Sequence, residues 1–210
     1  MKFSDRLYVI SDRKLAGDKF FQIIASLIEE GFNFIQLREK DLSADELYIL
    51  GKEIIKIGGK SRLKLVINDR VDVALALNAY GVQLTEKSLE PALVKKISKK
   101  LKIGLSIHDE KRVKRFEDLC DFFVYGNVFE TKSKPNVPGK GLFALRKIVS
   151  MTEKPVYAIG GIKEDNMELV LKTGCFGVAL KGAIFSSEEI QFDVKKLKAS
   201  FEQLFKRGVS

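Results

Sequence analysis

Eight short apolar runs recur along the chain, and most are followed by a longer stretch whose apolar positions come three and four residues apart. The runs are Leu7–Ser11, Phe34–Arg38, Lys64–Asn68, Gly81–Leu84, Lys102–Ile107, Asp121–Gly126, Pro155–Gly160 and Gly177–Leu180. Several are almost continuously apolar rather than alternating, as expected of parallel strands covered by helices. Between them, Phe20, Ile23, Ile24, Leu27 and Ile28 fall at helical spacing, as do Leu47, Leu50, Ile54 and Ile57. Ser43 with Glu46 reads as a capping box, in which each side chain satisfies the other residue's backbone N–H at a helix start. Gly31, Gly81, Gly174 and Gly177 fall where helices end and strands begin.

Alternating β and α units fit either a closed barrel or a doubly wound open sheet. The turn after the first run lacks GxGxxG, which weakens a dinucleotide-binding sheet. Eight units with glycine-rich turns after the last two favour an α/β protein folded as a single (β/α)8 TIM barrel over residues 1–210. No Pro/Gly/Ser-rich linker or change of composition divides the chain. Its 210 residues sit at the small end for this fold yet suffice for one substantial core. The longest irregular stretch, Phe129–Gly141 (FETKSKPNVPGKG), is expected to be a mobile active-site loop.

Charge and composition narrow the classes of partner. The formal net charge is +9, with Lys and Arg interleaved among Glu and Asp through most helices. Such interleaving marks solvated helix faces, and no basic stripe with aromatics points to nucleic acid. No apolar run reaches bilayer length, and the opening stretch carries Asp5 with no cleavage-like site, so no membrane association is expected and a cytoplasmic location is. Cys120 and Cys175 are expected to be buried free thiols, and a single histidine excludes the usual zinc spacings. The expected partners are phosphorylated small molecules, with a homo-oligomer left open.

In a β/α barrel the polar residues that end each strand face the active-site mouth. That rule collects Gln36, Arg38, Glu39 and Lys40 after strand two, Asn68 and Asp69 after strand three, and Ser106 and His108 at strand five. It adds Gly126 and Asn127 after strand six with Thr131, Ser133 and Lys134 on the loop, then Gly160 and Gly161, and finally Lys181 and Gly182. Arg38 and Lys40 stand two residues apart, so extended backbone points both the same way. With Lys134 closing from the loop, three cations would converge on an anion; arginine offers a planar fork and lysine a compact charge. Thr131 and Ser133 add hydroxyl donors. The Gly160-Gly161 turn can bare backbone N–H groups, a helix starting near Lys163 would aim its positive end there, and Gly182 repeats the device. Asp69 is the best carboxylate for a hard cation such as Mg²⁺, or alternatively the N-cap of a helix beginning at Val71. His108 is either a structural hydrogen-bonding residue or a catalytic one, and Glu39 reads as a structural partner of a neighbouring cation.

Seven segments occur in register: QLREK at 36–40, VIND at 66–69, GVQL at 81–84, GLSIH at 104–108, VFETKSK at 128–134, YAIGGI at 157–162 and GVALKGAI at 177–184. Together they resemble the family of thiamin phosphate synthase and its relative, the TenI-type thiazole tautomerase, over nearly the whole chain. The resemblance implies an enzyme that joins hydroxymethylpyrimidine diphosphate to hydroxyethylthiazole phosphate and releases diphosphate, by a dissociative route. It implies that Gln36, Arg38, Lys40, Asn68, Ser106 and Lys134 hold the pyrimidine and its diphosphate. Asp69 would bind Mg²⁺, and Thr131, Ser133, Gly161 and Gly182 would serve the thiazole phosphate. Two positions depart from the pattern. Ser88 stands where the synthase places a second metal-binding Asp, unless Glu86 substitutes, and Lys87 adds an ammonium there. Asn127 stands where the tautomerase places a histidine, and an amide cannot shuttle a proton at neutral pH. The alternatives are therefore a tautomerase using His108 or a water, and a non-catalytic protein binding thiazole phosphate or thiamin phosphate.

Overall fold

The computed structural model describes residues 3–59, 62–131, 136–185 and 194–206. The strands are β1 (Leu7–Ile10), β2 (Phe34–Leu37), β3 (Lys64–Asn68), β4 (Gly81–Leu84), β5 (Lys102–Ile107), β6 (Phe122–Gly126), β7 (Val156–Ile159) and β8 (Gly177–Leu180). Each lies within one residue of its predicted run. All pairings are parallel and follow chain order, and β8 closes on β1 through Leu7–Val178, Tyr8–Ala179 and Val9–Leu180.

Alternate residues along the strands enter two different cores, because successive side chains in a strand point to opposite faces. Leu7, Val9, Ile35, Leu37, Leu65 and Ile67 pack outward beneath the helices. Tyr8, Ile10, Phe34, Val66, Phe122, Val124, Tyr157 and Ala179 pack inward. The inward aromatics interlock, Tyr8 stacking on Phe34 with ring centroids 4.3 Å apart and Phe122 meeting Phe34 edge-on at 5.4 Å. Phe122 fits because β5 carries glycine beside it: a Cβ on Gly104 would come within 2.3 Å of the ring. The short 3-10 turn Phe3–Arg6 covers the amino-terminal end, where the Tyr157 hydroxyl donates to the Asp5 carbonyl oxygen at 2.7 Å. The barrel is thus plugged with aromatics at that end, and Gln36, Asn68, Gln83 and Ser106 stand two residues on from the inward-facing Phe34, Val66, Gly81 and Gly104, toward the carboxyl ends.

The helices are α1 (Arg13–Ala16), α2 (Phe20–Glu29), α3 (Ala44–Gly58), α4 (Val71–Ala76), α5 (Pro91–Ile97), α6 (Glu110–Phe116), α7 (Gly141–Val149), α8 (Glu164–Leu171), α9 (Gly182–Phe185) and α10 (Val194–Lys206). The Ser43 capping box forms as read: Glu46 N–H donates to Ser43 Oγ at 3.3 Å and Ser43 N–H to the Glu46 carboxylate at 2.8 Å. The same helix buries Leu47 and Ile54, each contributing about 1.5–3 kcal/mol. α10 returns Leu197 and Phe201 to the core, with Phe201 edge-on to Phe32. Cys120 and Cys175 are free and buried, as expected. No helix among the described residues is long and apolar enough to cross a membrane.

Candidate active site

A cavity of about 1060 Å³ opens at the carboxyl ends of the strands. That lies at the upper end of the range for small-molecule sites and leaves room for two ligands. Gln36, Arg38, Lys40, Asn68, Ser106 and His108, at the ends of β2, β3 and β5, line it, as do Asn127, Thr131, Gly160, Gly161 and Gly182, which follow β6, β7 and β8. Ser133 and Lys134 lie outside the described residues. The flanks of their loop are anchored: Lys140 N–H donates to the Asn127 carbonyl and Gly141 N–H to that of Val128.

Arg38 and Lys40 share a rim with Lys87 and Lys181, all of them lining the cavity. The Arg38 guanidinium is the main cause that lowers the Lys40 ammonium's pKa, followed by partial desolvation and Lys87; Asp69 acts in the opposite direction, and Lys181 is a minor further cause. Cations that destabilise one another at the mouth of a partly dry cavity favour an anionic guest. Lys181 is partly neutralised by Asp12, at 2.6 Å. Glu39, by contrast, is a structural residue. It is 6% exposed, accepts from the Ser11 hydroxyl and the Arg13 N–H, and its carboxyl pKa is raised chiefly by burial.

Across the cavity the β7–α8 and β8–α9 turns meet. Gly160 and Gly161 adopt φ of +102° and +65°, and side chains there would strike Asn127 and the Phe129–Glu130 backbone. Asn166, in the first turn of α8, fastens this turn by accepting from Lys163 N–H at 2.8 Å and donating to the Gly161 carbonyl at 2.9 Å. Among the described residues the N–H groups of Gly161, Ile162, Gly182 and Ala183 donate to no protein acceptor, and all four residues line the cavity. Bare N–H groups from two adjoining turns at this position of the barrel form the fold's usual phosphate cradle.

His108 sits just past β5 with Nδ1 2.7 Å from the Gly126 carbonyl, to which it donates, since a carbonyl oxygen only accepts. Asn127 is buried, and its amide Nδ2 donates to the carbonyls of Phe129 and Val137 at 3.1 Å and of Pro138 at 3.4 Å. This amide therefore organises the loop. Asp69 does not cap α4: the cap position is Arg70, with no side-chain cap bond, while Asp69 itself takes φ +67° and stands exposed beside the rim. Its carboxylate makes no hydrogen bond or ion pair among the described residues. Ser88 closes a turn, its Oγ accepting from Thr85 N–H at 2.8 Å and lying 3.0 Å from Thr85 Oγ1. No group of three or more His, Cys, Asp or Glu that could hold a metal occurs among the described residues. Asp69 is not itself among the residues that line the cavity, although its neighbour Asn68 and Glu86 are; one open carboxylate at the edge fits Mg²⁺ shared with a diphosphate but not an all-protein cage.

Sequence reasoning passed over Tyr8, Gln83, Thr85, Asn166 and Asp12, the partner of Lys181. For Gln83 a signal existed, a polar residue in the middle of the apolar GVQL run; for Tyr8, buried beneath the cavity, there was none.

Residues 7–184 match the family described as thiamine monophosphate synthase. A thiamine-phosphate synthase of Pyrococcus furiosus is 36% identical over 200 residues, covering 95% of this chain and 96% of the relative. A putative thiamine-phosphate synthase 2 of Aquifex aeolicus is 38% identical over 175 residues, 83% of this chain and 94% of the other. The solved structure of a thiamine phosphate pyrophosphorylase from Pyrococcus furiosus superposes with a TM-score of 0.85 at 34% identity, covering 96% of this chain and 97% of its own.

Proposed function

Because the chain belongs to the thiamine monophosphate synthase family, we propose that it joins hydroxymethylpyrimidine diphosphate to hydroxyethylthiazole phosphate, forming thiamin phosphate and releasing diphosphate. The observation that carries this reading is the two-sided cavity, with a cationic rim around Arg38 and Lys40 and a cradle of bare N–H groups at Gly161, Ile162, Gly182 and Ala183. A reaction between two phosphorylated partners needs an anion site for each.

On this reading Gln36, Asn68 and Ser106 orient the pyrimidine, while Arg38 and Lys40, joined by Lys134, hold its diphosphate. As the bond from the methylene carbon to the diphosphate oxygen breaks, the leaving group gains charge and the cations stabilise it. The glycine turns hold the thiazole phosphate, with Thr131 and Ser133, so that the ring nitrogen faces the carbon it captures. Catalysis is then positioning plus electrostatics, with no covalent enzyme intermediate. Asp69 would hold Mg²⁺, which when bound supplies further neutralisation of the diphosphate. Asn127 supports the loop and His108 lines the pyrimidine side. Two buried free thiols suit a reducing, cytoplasmic setting.

The test is direct. Purified protein given both substrates and Mg²⁺ should release diphosphate and form thiamin phosphate in equal amounts, with turnover dependent on Arg38. Absence of product, alongside tight binding of a carboxylated thiazole phosphate, would refute the reading in favour of the tautomerase or binding alternatives.

A further inference from the structure

Four polar side chains from four strands are joined in one hydrogen-bonded chain across the cavity floor. Gln36 Nε2 donates to the Tyr8 hydroxyl at 2.9 Å, Tyr8 donates to Gln83 Oε1 at 3.3 Å, and Gln83 Nε2 donates to Ser106 Oγ at 3.1 Å. Gln36, Gln83 and Ser106 line the cavity, whereas Tyr8 is fully buried beneath it. The reaction as derived above uses neither Tyr8 nor Gln83.

Donor and acceptor counting makes the chain directional. Gln36 turns its amide nitrogen toward Tyr8, so its carbonyl oxygen is left to accept from the cavity. Ser106 accepts from Gln83, so its own hydroxyl hydrogen is left to donate into the cavity. The two ends are therefore opposite in polarity, and reversing one link reverses them all: both amides rotate and both hydroxyls turn. Gln36 and Gln83 are each 2% exposed, so no bulk water satisfies the intermediate arrangements. The Gln83 amide also occupies the space left by the missing Gly104 side chain, whose Cβ would lie 2.4 Å from Oε1.

We propose that Tyr8 and Gln83 are positioning residues that hold the Gln36 carbonyl and the Ser106 hydroxyl hydrogen toward the cavity, and so select the amino form of the pyrimidine diphosphate over its oxo form. The inference rests on the cavity being a pyrimidine diphosphate site. An aminopyrimidine offers an exocyclic N–H to Gln36 and an unprotonated ring nitrogen to Ser106. The oxo form offers a carbonyl and a ring N–H, which oppose both ends at once.

The experiment measures kcat/KM for the amino and the oxo pyrimidine diphosphate in the wild type, Tyr8→Phe, Gln83→Leu and Gln83→His, with the KM for thiazole phosphate as internal reference. The wild type should prefer the amino form by roughly 10–100-fold. Tyr8→Phe and Gln83→Leu should each reduce that preference by about tenfold while the thiazole phosphate KM stays within about twofold. Gln83→His should retain the preference, because a neutral imidazole still accepts at one nitrogen and donates at the other. Folded Tyr8→Phe and Gln83→Leu proteins with an undiminished preference overturn the proposal, and if Tyr8→Phe does not fold, the two Gln83 variants decide. Wild-type turnover of the amino form with a preference indifferent to these residues sinks this inference alone; a wild type that turns over neither pyrimidine sinks the functional reading with it.

Discussion

Alanine at Gly161 probes the phosphate cradle from both ends, stability and binding. The residue sits at φ +65°, and a Cβ there would lie 2.4 Å from the Glu130 carbonyl oxygen and 2.7 Å from Phe129 Cβ. The left-handed backbone disfavours alanine by about 1–2 kcal/mol. Forcing a methyl into a packed site adds roughly 1–3 kcal/mol, because the obstructing oxygen is backbone and cannot swing aside. The sum is about 2–5 kcal/mol, which for a chain of this size lowers Tm by roughly 5–15 °C. Gly182→Ala is the control. Its φ is outside the left-handed region and no atom lies within 4 Å of the added Cβ, so the folded state tolerates it. A methyl in the cavity at that point should nonetheless raise the KM for thiazole phosphate. Thermal unfolding followed by circular dichroism, with steady-state kinetics on both variants, separates the two effects. A Gly161→Ala protein within about 1 °C of wild type would refute the packing argument. Equal destabilisation of both variants would refute the assignment of open space to Gly182.

Further outcomes follow from the cationic rim and the metal position. Arg38→Gln should lower kcat/KM about 10²–10⁴-fold, the equivalent of two charged hydrogen bonds to the leaving group, and flatten the salt dependence of the rate; a loss under about threefold would contradict its place at the diphosphate. Because an anion binds the protonated ammonium, affinity for pyrimidine diphosphate should weaken as pH rises through the lowered pKa of Lys40. Lys40→Arg should abolish that alkaline limb in a calorimetric titration, since arginine stays protonated. Without ligand the sign reverses: the folded pKa lies below the unfolded one, so between the two the unfolded chain binds more protons and stability rises with pH. Ser88→Asp keeps an oxygen for the Thr85 N–H and adds a carboxylate, so half-maximal turnover should need several-fold less Mg²⁺; an unchanged Mg²⁺ requirement would rule out Ser88 as the limiting ligand position.

The periodicity of the chain carried most of the fold. Runs such as Lys64–Asn68 and Gly177–Leu180 were bounded correctly because apolar strands flanked by glycine, proline or charge leave little freedom of placement. The order of polar strand ends was equally legible, since a β/α barrel always presents them at the same rim. Less could be read where two roles use the same residue type. Asp69 and Asn127 are small polar residues at strand ends, and only coordinates distinguish an open carboxylate from a helix cap, or a loop anchor from a ligand contact. Lys87, read from the sequence only as an ammonium at the metal position, also joins the cation cluster around Lys40.

What the sequence determined by itself is everything that depends on local spacing: strand and helix identity, the capping box, the glycine turns, and the list of groups brought to one end of the barrel. What only the tertiary structure decided is which groups touch across strands. The chain from Gln36 through Tyr8 and Gln83 to Ser106 joins residues 23 to 75 positions apart, and such contacts arise from barrel closure and shear, which no local pattern encodes.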